Sequence, residues 1–261
     1  MTTAHGFVRG EHDGDVLILR LNRPPAHAFT TELLADLDAA VRHAAEDCAV
    51  RCVVLTGSGD FFSGGFDMKA PPRGAAEAVE MANLYHSVHR QLVALPKPTV
   101  AAVNGHAVAG GLVLALACDH RVAPTRRFRV GLTEVAVGAG YPPAASAIAI
   151  DRLRADAIEL MLGAALSWSD DPRLSFLFRS QREPATFAEE TLALARTLAS
   201  LPAAAYAHTK AALVRDLLAR IDGASDEERV EALSVWTDPE SDVARDELRR
   251  RLGRPRVPSG D

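Results

Sequence analysis

The chain has 261 residues, of which 48% are hydrophobic but only 5% aromatic, so its apolar content is mostly Ala, Val and Leu. That length supports one large domain or two small ones around a substantial core, and a charged fraction of 24% beside so much apolar residue excludes disorder over the bulk of the chain. A net charge of −5, from 29 basic and 34 acidic residues, leaves no basic excess to neutralise phosphates and argues against a nucleic-acid partner.

Asp15 to Asn22 (DVLILRLN) predicts a first strand, closed by Arg23-Pro24-Pro25 because proline cannot donate to a ladder. Thr31 to Asp47 predicts an amphipathic helix, with Leu33, Leu34, Leu37, Ala40, Val41 and Ala44 at spacings of three and four. A buried strand over Val50 to Leu55 ends at Thr56-Gly57-Ser58-Gly59. A helix follows from about Ala76 to Leu95, then a Pro-Lys-Pro break, a strand over Thr99 to Val103, the Asn104-Gly105 turn and a helix starting near Ala109. The twenty residues from Thr99 to Cys118 carry no charge and are long enough to span a membrane, but Asn104-Gly105 turns the chain and Gly110-Gly111 weakens a continuous helix. A buried strand, a turn and a buried helix account for them better, and no membrane partner is expected.

Short strands are predicted at Arg121 to Ala123 and Phe128 to Val130, and after about Pro142 the chain reads as helical, with periodic stretches near 152–162, 186–200, 203–221, 225–236 and 240–252. Strand, turn and helix recur without hairpin signals, which predicts an α/β fold. A boundary near residue 185 separates an α/β core, 1–185, from a helical C-terminal region, 186–252, with a frayed tail at 253–261. Pro71 to Gly74 reads as a loop. Cys48, Cys52 and Cys118 form no CxxC pair, and the N-terminus has no apolar leader-like run, so reduced thiols and a cytoplasmic location are expected.

No GxGxxG, P-loop, GxSxG or HExxH occurs. His86 and His89 stand three apart on a predicted helix but lack a nearby third ligand, so no metal site is expected. Two glycine-rich turns carry more chemistry: Phe61 to Lys69 (FFSGGFDMK) and Asn104 to Gly111 (NGHAVAGG), each between a strand and a helix. Such junctions leave backbone N–H groups free to stabilise a developing negative charge, and glycine permits the close approach this needs. Leu132-Thr133-Glu134-Val135 then places a lone carboxylate in an apolar stretch, where burial raises its pKa and suits it to moving protons.

At these residues the sequence resembles the crotonase superfamily, the enoyl-CoA hydratase/isomerase group. The matching segments are Leu21 to Phe29 (LNRPPAHAF), Val53 to Gly57 (VVLTG), Phe62 to Lys69 (FSGGFDMK), Pro96 to Gly105 (PKPTVAAVNG) with the following Gly-Gly, and Thr133 to Val135, in family order over about residues 14–160. The resemblance implies a spiral of ββα units with a helical C-terminal region used for trimer assembly, commonly a dimer of trimers. It implies an acyl-CoA thioester substrate from fatty acid metabolism, with coenzyme A part of the substrate and no separate cofactor. By position, the N–H groups of Phe66 and Gly110 would form the oxyanion hole. CoA would lie along Arg23, Ala26 and His27 and along Gly64, Gly65, Phe66, Asp67, Met68 and Lys69, with His106, Gly110, Val113 and Tyr141 about the acyl group.

Family hydratases use two glutamates, and here the first of those positions is Val113, so only Glu134 remains. The resemblance therefore favours a Δ3,Δ2-enoyl-CoA isomerase, in which one group removes a proton and returns it. A hydratase that recruits His106 or Tyr141 for water, and a non-catalytic acyl-CoA-binding protein, are the other two readings. Leu166 to Pro184 departs from the Ala-rich helix and Gly-Leu-Val turn usual in relatives, and its sequence alone offers no physical account of this.

Overall fold

The computed structural model describes residues 3–178 and 180–234, together with 247 and 250. The chain opens with three strands, β1 (Thr3–His5), β2 (Val8–Asp13) and β3 (Val16–Leu21), paired antiparallel in succession. From β3 onward it deals strands alternately to two sheets. β4 (Cys52–Thr56), β6 (Thr99–Ala102) and β8 (His120–Pro124) extend the first sheet in parallel. β5 (Phe61–Ser63), β7 (His106–Val108) and β9 (Arg129–Gly131) form the second, also in parallel.

Helices α1 (Thr31–Glu46), α2 (Ala75–Ala94) and α3 (Gly110–Ala117) return the chain between these pairs, which makes the α/β spiral of strand, strand and helix units that the resemblance implies. The residue pattern explains the layering. Every residue of β4 is buried, as a parallel strand covered on both faces requires. α1 buries Leu33, Leu34, Leu37, Val41 and Ala44 along one stripe, and the Thr30 hydroxyl caps its start by accepting from Leu33 N–H at 3.3 Å. α3 is buried on all sides, so β6, β7 and α3 account for the uncharged run from Thr99 to Cys118. Among the described residues no helix is long and apolar enough to cross a membrane.

Helices α4 (Pro143–Leu153) and α5 (Ala157–Gly163) lead into the segment that departs from the relatives. It is folded into both sheets. β10 (Ser167–Trp168) pairs with β9, Leu174, Leu177 and Phe178 are buried, and β11 (Ser180–Arg182) runs parallel beside β8 as the last strand of the first sheet. The uninterrupted helical reading beyond Pro142 is thus corrected: apolar residues in this segment follow sheet and loop packing, not a helical stripe. α6 (Phe187–Ala199) covers the outer face of the first sheet, setting Ala195, Leu198 and Ala199 against Val16, Val54, Val100 and Val122. The stretch read as one helix over 203–221 is two, α7 (Ala203–Leu213) and α8 (Arg215–Asp222), which meet at buried Val214. α9 (Asp226–Ser234) lies against α2. The predicted helix at 240–252 and tail at 253–261 lie outside the described residues, apart from 247 and 250.

A buried polar knot ties α7 to the core. One Asp119 carboxylate oxygen accepts from Lys210 Nζ at 2.8 Å, the Tyr206 hydroxyl at 3.0 Å, and Thr99 N–H and hydroxyl at 3.0 and 2.9 Å. The Lys210 and Asp119 side chains are only 7% and 13% exposed. Burial lowers the Lys210 pKa while Asp119 holds its charge in place. Breaking such a pair from one side leaves an ion without its partner, at roughly 3 kcal/mol. Asp119→Ala is therefore expected to lower the urea midpoint by that order, and the apolar pair Asp119→Leu with Lys210→Met to recover most of it. A single variant as stable as the parent would show that the knot adds nothing to the fold.

Candidate active site

The site grows from two turns that the sheets force together. After β5, Gly64 N–H donates to the Ala26 carbonyl at 2.8 Å, Phe29 N–H to the Gly65 carbonyl at 2.7 Å, and Asp67 N–H to the Phe29 carbonyl at 3.0 Å. The stretch from Arg23 to Phe29 is thereby laced to the Gly64 to Lys69 turn. After β7, Ala109 takes a positive φ of 52°, unusual for a residue with a side chain, and is held by its N–H donating to the Gly131 carbonyl at 2.8 Å. The two turns touch through glycine. Gly65 has φ 76°, and a Cβ there would stand 2.9 Å from the Gly110 nitrogen; a Cβ on Gly111 would stand 2.1 Å from the Ser63 carbonyl oxygen. Ala109 offers no capping side chain, and the first N–H groups of α3 have no partner within the helix. Phe66 and Gly110 are thus brought into adjoining turns.

Glu134 faces the same region from the end of β9. Its backbone is fixed by a short 3-10 turn, Val135–Val137, with Val137 and Ala139 N–H donating to the Glu134 carbonyl at 3.0 and 2.9 Å. The residue is 6% exposed, and among the described residues its Oε2 has no hydrogen-bond partner. Burial pushes its pKa up to about 7, against smaller opposing effects from the backbone and the Tyr141 hydroxyl. Tyr141 donates to the Met161 carbonyl at 3.0 Å, and burial beside the carboxyl raises its own pKa.

Glu134 lines a narrow cavity with Gly64, Phe66, Met68, Tyr85, Ala109 and Thr133, and with Ala232 and Leu233 of α9. The walls are mainly apolar, as in most small-molecule sites. Other predicted residues lie further out. Arg23 pairs with Asp67 at 2.5 Å. His27 is fully buried, its Nδ1 accepting from Arg23 N–H at 3.1 Å and its Nε2 bonded to Ser58, so it braces the stretch from Arg23 to Phe29. Lys69 borders a separate depression with Thr30, Thr31 and Arg73. Val113 is buried within α3 and is not among the residues lining the Glu134 cavity. His106 is also absent from that lining: its Nδ1 accepts from Arg129 N–H at 2.7 Å and its ring meets Phe61 edge-on. Among the described residues no group of His, Cys, Asp and Glu could hold a metal. Tyr85, which lines the cavity, was not singled out by sequence reasoning; its place on the buried stripe of α2 looked like ordinary core.

The model of the enoyl-CoA hydratase/isomerase family matches residues 11–231. The chain belongs to the enoyl-CoA hydratase/isomerase family. It is 40% identical over 122 residues to 4-chlorobenzoyl coenzyme A dehalogenase-2 of Arthrobacter sp, covering 44% of each chain. It is 39% identical over 130 residues to a putative enoyl-CoA hydratase/isomerase of Bacillus subtilis, covering 49% of this chain and 48% of that protein. The chain spans about half the length of the curated relatives it matches. A Mycobacterium tuberculosis protein described in one structure as an enoyl-CoA isomerase and in another as a probable enoyl-CoA hydratase is 27% identical in the first, with 87% of this chain and 97% of that one superposed at a TM-score of 0.76. Human mitochondrial Δ3-Δ2-enoyl-CoA isomerase, 22% identical, shares the fold at a TM-score of 0.84 over 94% of this chain and 98% of its own.

For this enoyl-CoA hydratase/isomerase family member, Glu134 links pH to stability. An acid whose folded pKa is raised from 4.5 to about 7 contributes stability that is fully present below the lower value and lost as pH rises through the higher one. The loss is on the order of 3 kcal/mol. In Glu134→Gln that slope is expected to disappear, so the difference in unfolding free energy between parent and variant should change between pH 4.5 and pH 7.5. The comparison cancels the histidines, which titrate in both proteins. A constant difference would show that Glu134 is not held as a neutral acid.

Proposed function

We propose that the protein is an acyl-CoA isomerase that moves a carbon–carbon double bond from the 3 to the 2 position of an enoyl-CoA thioester. The supporting observation is a buried carboxyl poised near neutrality, Glu134, in a mainly apolar cavity whose lining residues include no second carboxyl. In the proposed reaction the Glu134 carboxylate removes a proton from C2 and the electron pair moves into the thioester. The Phe66 and Gly110 N–H groups donate to the resulting dienolate oxygen. Protonated Glu134 then delivers the proton to C4 as the double bond settles between C2 and C3. The proton taken equals the proton returned, so no oxidant, metal or separate cofactor enters. A well-placed backbone donor is worth roughly 3 kcal/mol in such a transition state.

Arg23, His27 and the Gly64 to Lys69 turn form the proposed CoA side, and the exposed apolar Ile158, Leu162 and Leu213 are the proposed material for a trimer or dimer of trimers. Hydration of a 2-enoyl-CoA is the second reading. It is favoured by the Tyr141 hydroxyl beside Glu134, which gives a water molecule a polar neighbour.

Assays with 3-enoyl-CoA and 2-enoyl-CoA thioesters decide between them, with 4-chlorobenzoyl coenzyme A included because the Arthrobacter relative is named for it. Isomerisation of the first is expected, with kcat/KM rising with pH through about 7 as Glu134 becomes the base. Glu134→Gln is expected to lower kcat by about 10²- to 10⁴-fold. Turnover of 2-enoyl-CoA alone would overturn the isomerase reading.

A further inference from the structure

We infer that the groove between the first sheet and α6 is a second binding site, for a small amphipathic anion whose apolar body lies along the strands and whose carboxylate or phosphate head meets Arg20 and Arg126. The groove lies on the face of the first sheet turned away from the main core and shares no lining residue with the Glu134 cavity. It therefore stands apart from the acyl-CoA reading.

Alternate residues of the strands face this groove, and they change character along it. Val16, Ile18 and Arg20 follow one another on this face of β3, and Cys52, Val54 and Thr56 do so on β4, its parallel partner. β6 ends in the same way, passing from Val100 and Ala102 to Asn104 just beyond it. Apolar starts thus give way to polar carboxyl ends, the end of a parallel sheet at which α/β proteins commonly hold ligands. α6 seals only the starts. Ala195 and Ala199 in its second half are buried against the sheet, whereas at its N-terminal end Phe187 and Leu192 are half-buried and Ala188 is exposed. There the helix leaves an open-sided groove floored by Val54 and Ala102.

Arg20 and Arg126 are the only charged residues in the lining. Arg20 donates to the Gly57 carbonyl at 3.2 Å and Arg126 to the Asn104 carbonyl at 2.6 Å, which holds both guanidinium groups at the mouth of the groove. Their side chains are 36% and 39% exposed, so a ligand can reach them. Each has an acidic neighbour outside the groove, Glu11 at 4.0 Å from Arg20 and Asp60 at 3.3 Å from Arg126, but these carboxylates are 47% and 79% exposed. Solvated pairs of this kind are weak and yield to an anion that arrives with apolar surface to bury. Ile18, Phe187 and Leu192 supply the matching surface in the groove. A neutral hydrocarbon would leave the arginines unused and a bare anion would leave the apolar wall wet, whereas an amphipathic anion satisfies both.

Calorimetric titration of the full chain with octanoate, octyl phosphate and octanol tests the site. At least one of the two anions is expected to bind saturably and about tenfold more tightly than octanol, the value of one charge-assisted hydrogen bond, and the tighter of the two identifies the head group. Arg20→Gln is expected to remove most of that preference. Ala188→Phe, at an exposed position in the first turn of α6, is expected to fill the groove and abolish binding while leaving the urea midpoint of the protein unchanged. Octanol binding as tightly as both anions, affinity that survives both substitutions, or no binding of any of the three would overturn the site.

Discussion

The site depends on backbone approaching backbone. The Gly65 turn and the start of α3 lie so close that a Cβ on Gly65 or Gly111 would fall inside contact distance of the other strand's main chain. Sheet geometry sets this up: β5 and β7 are parallel neighbours in the second sheet, so the turns that leave them emerge side by side. Side chains at these positions would hold the two turns apart. A chain rich in small residues is therefore suited to a site in which main-chain dipoles carry the electrostatics. Ala109, bent into a positive φ between β7 and α3, shows that the junction tolerates local strain to keep the approach.

The same apolar surroundings act on Glu134. A carboxyl in water titrates near 4.5, and the cavity holds this one near 7 because burial disfavours its charge. Elsewhere burial is offset by pairing: one Asp119 carboxylate oxygen takes four donors, two from Thr99 of β6 and one each from Tyr206 and Lys210 of α7.

Much of this was legible in the residues. The spacing of Leu33, Leu34, Leu37 and Val41 located α1 to within a residue, and Asn104-Gly105 divided the uncharged run into strand, turn and helix. The two glycine turns and Glu134 stood out because each broke a local pattern. Other features left weak traces. The antiparallel pair β2 and β3 turns on Gly14-Asp15, between paired Asp13 and Val16, a short hairpin signal that the stronger strand beyond it obscured. β10 and β11 are two and three residues long, too short for an alternation to register, and they exist because neighbouring strands recruit them. Tyr85 was hidden for a different reason. An aromatic residue on the apolar stripe of a helix reads as core, and only the three-dimensional structure shows that Tyr85 is among the residues lining the Glu134 cavity.

The roof of the cavity bears on which chemistry is favoured. Ala232 and Leu233 of α9 close over Glu134 from the helical C-terminal region, and α9 is held against α2, the helix that carries Tyr85. Hydration must admit a water molecule and keep it oriented between two groups, which an apolar roof opposes. A proton shuttle within one bound molecule gains from the same roof, because excluding water strengthens the donor contacts to an enolate and prevents bulk water from quenching it. A single carboxyl in a mainly apolar lining is consistent with the isomerisation proposed above, and under hydration that apolar lining would work against the reaction.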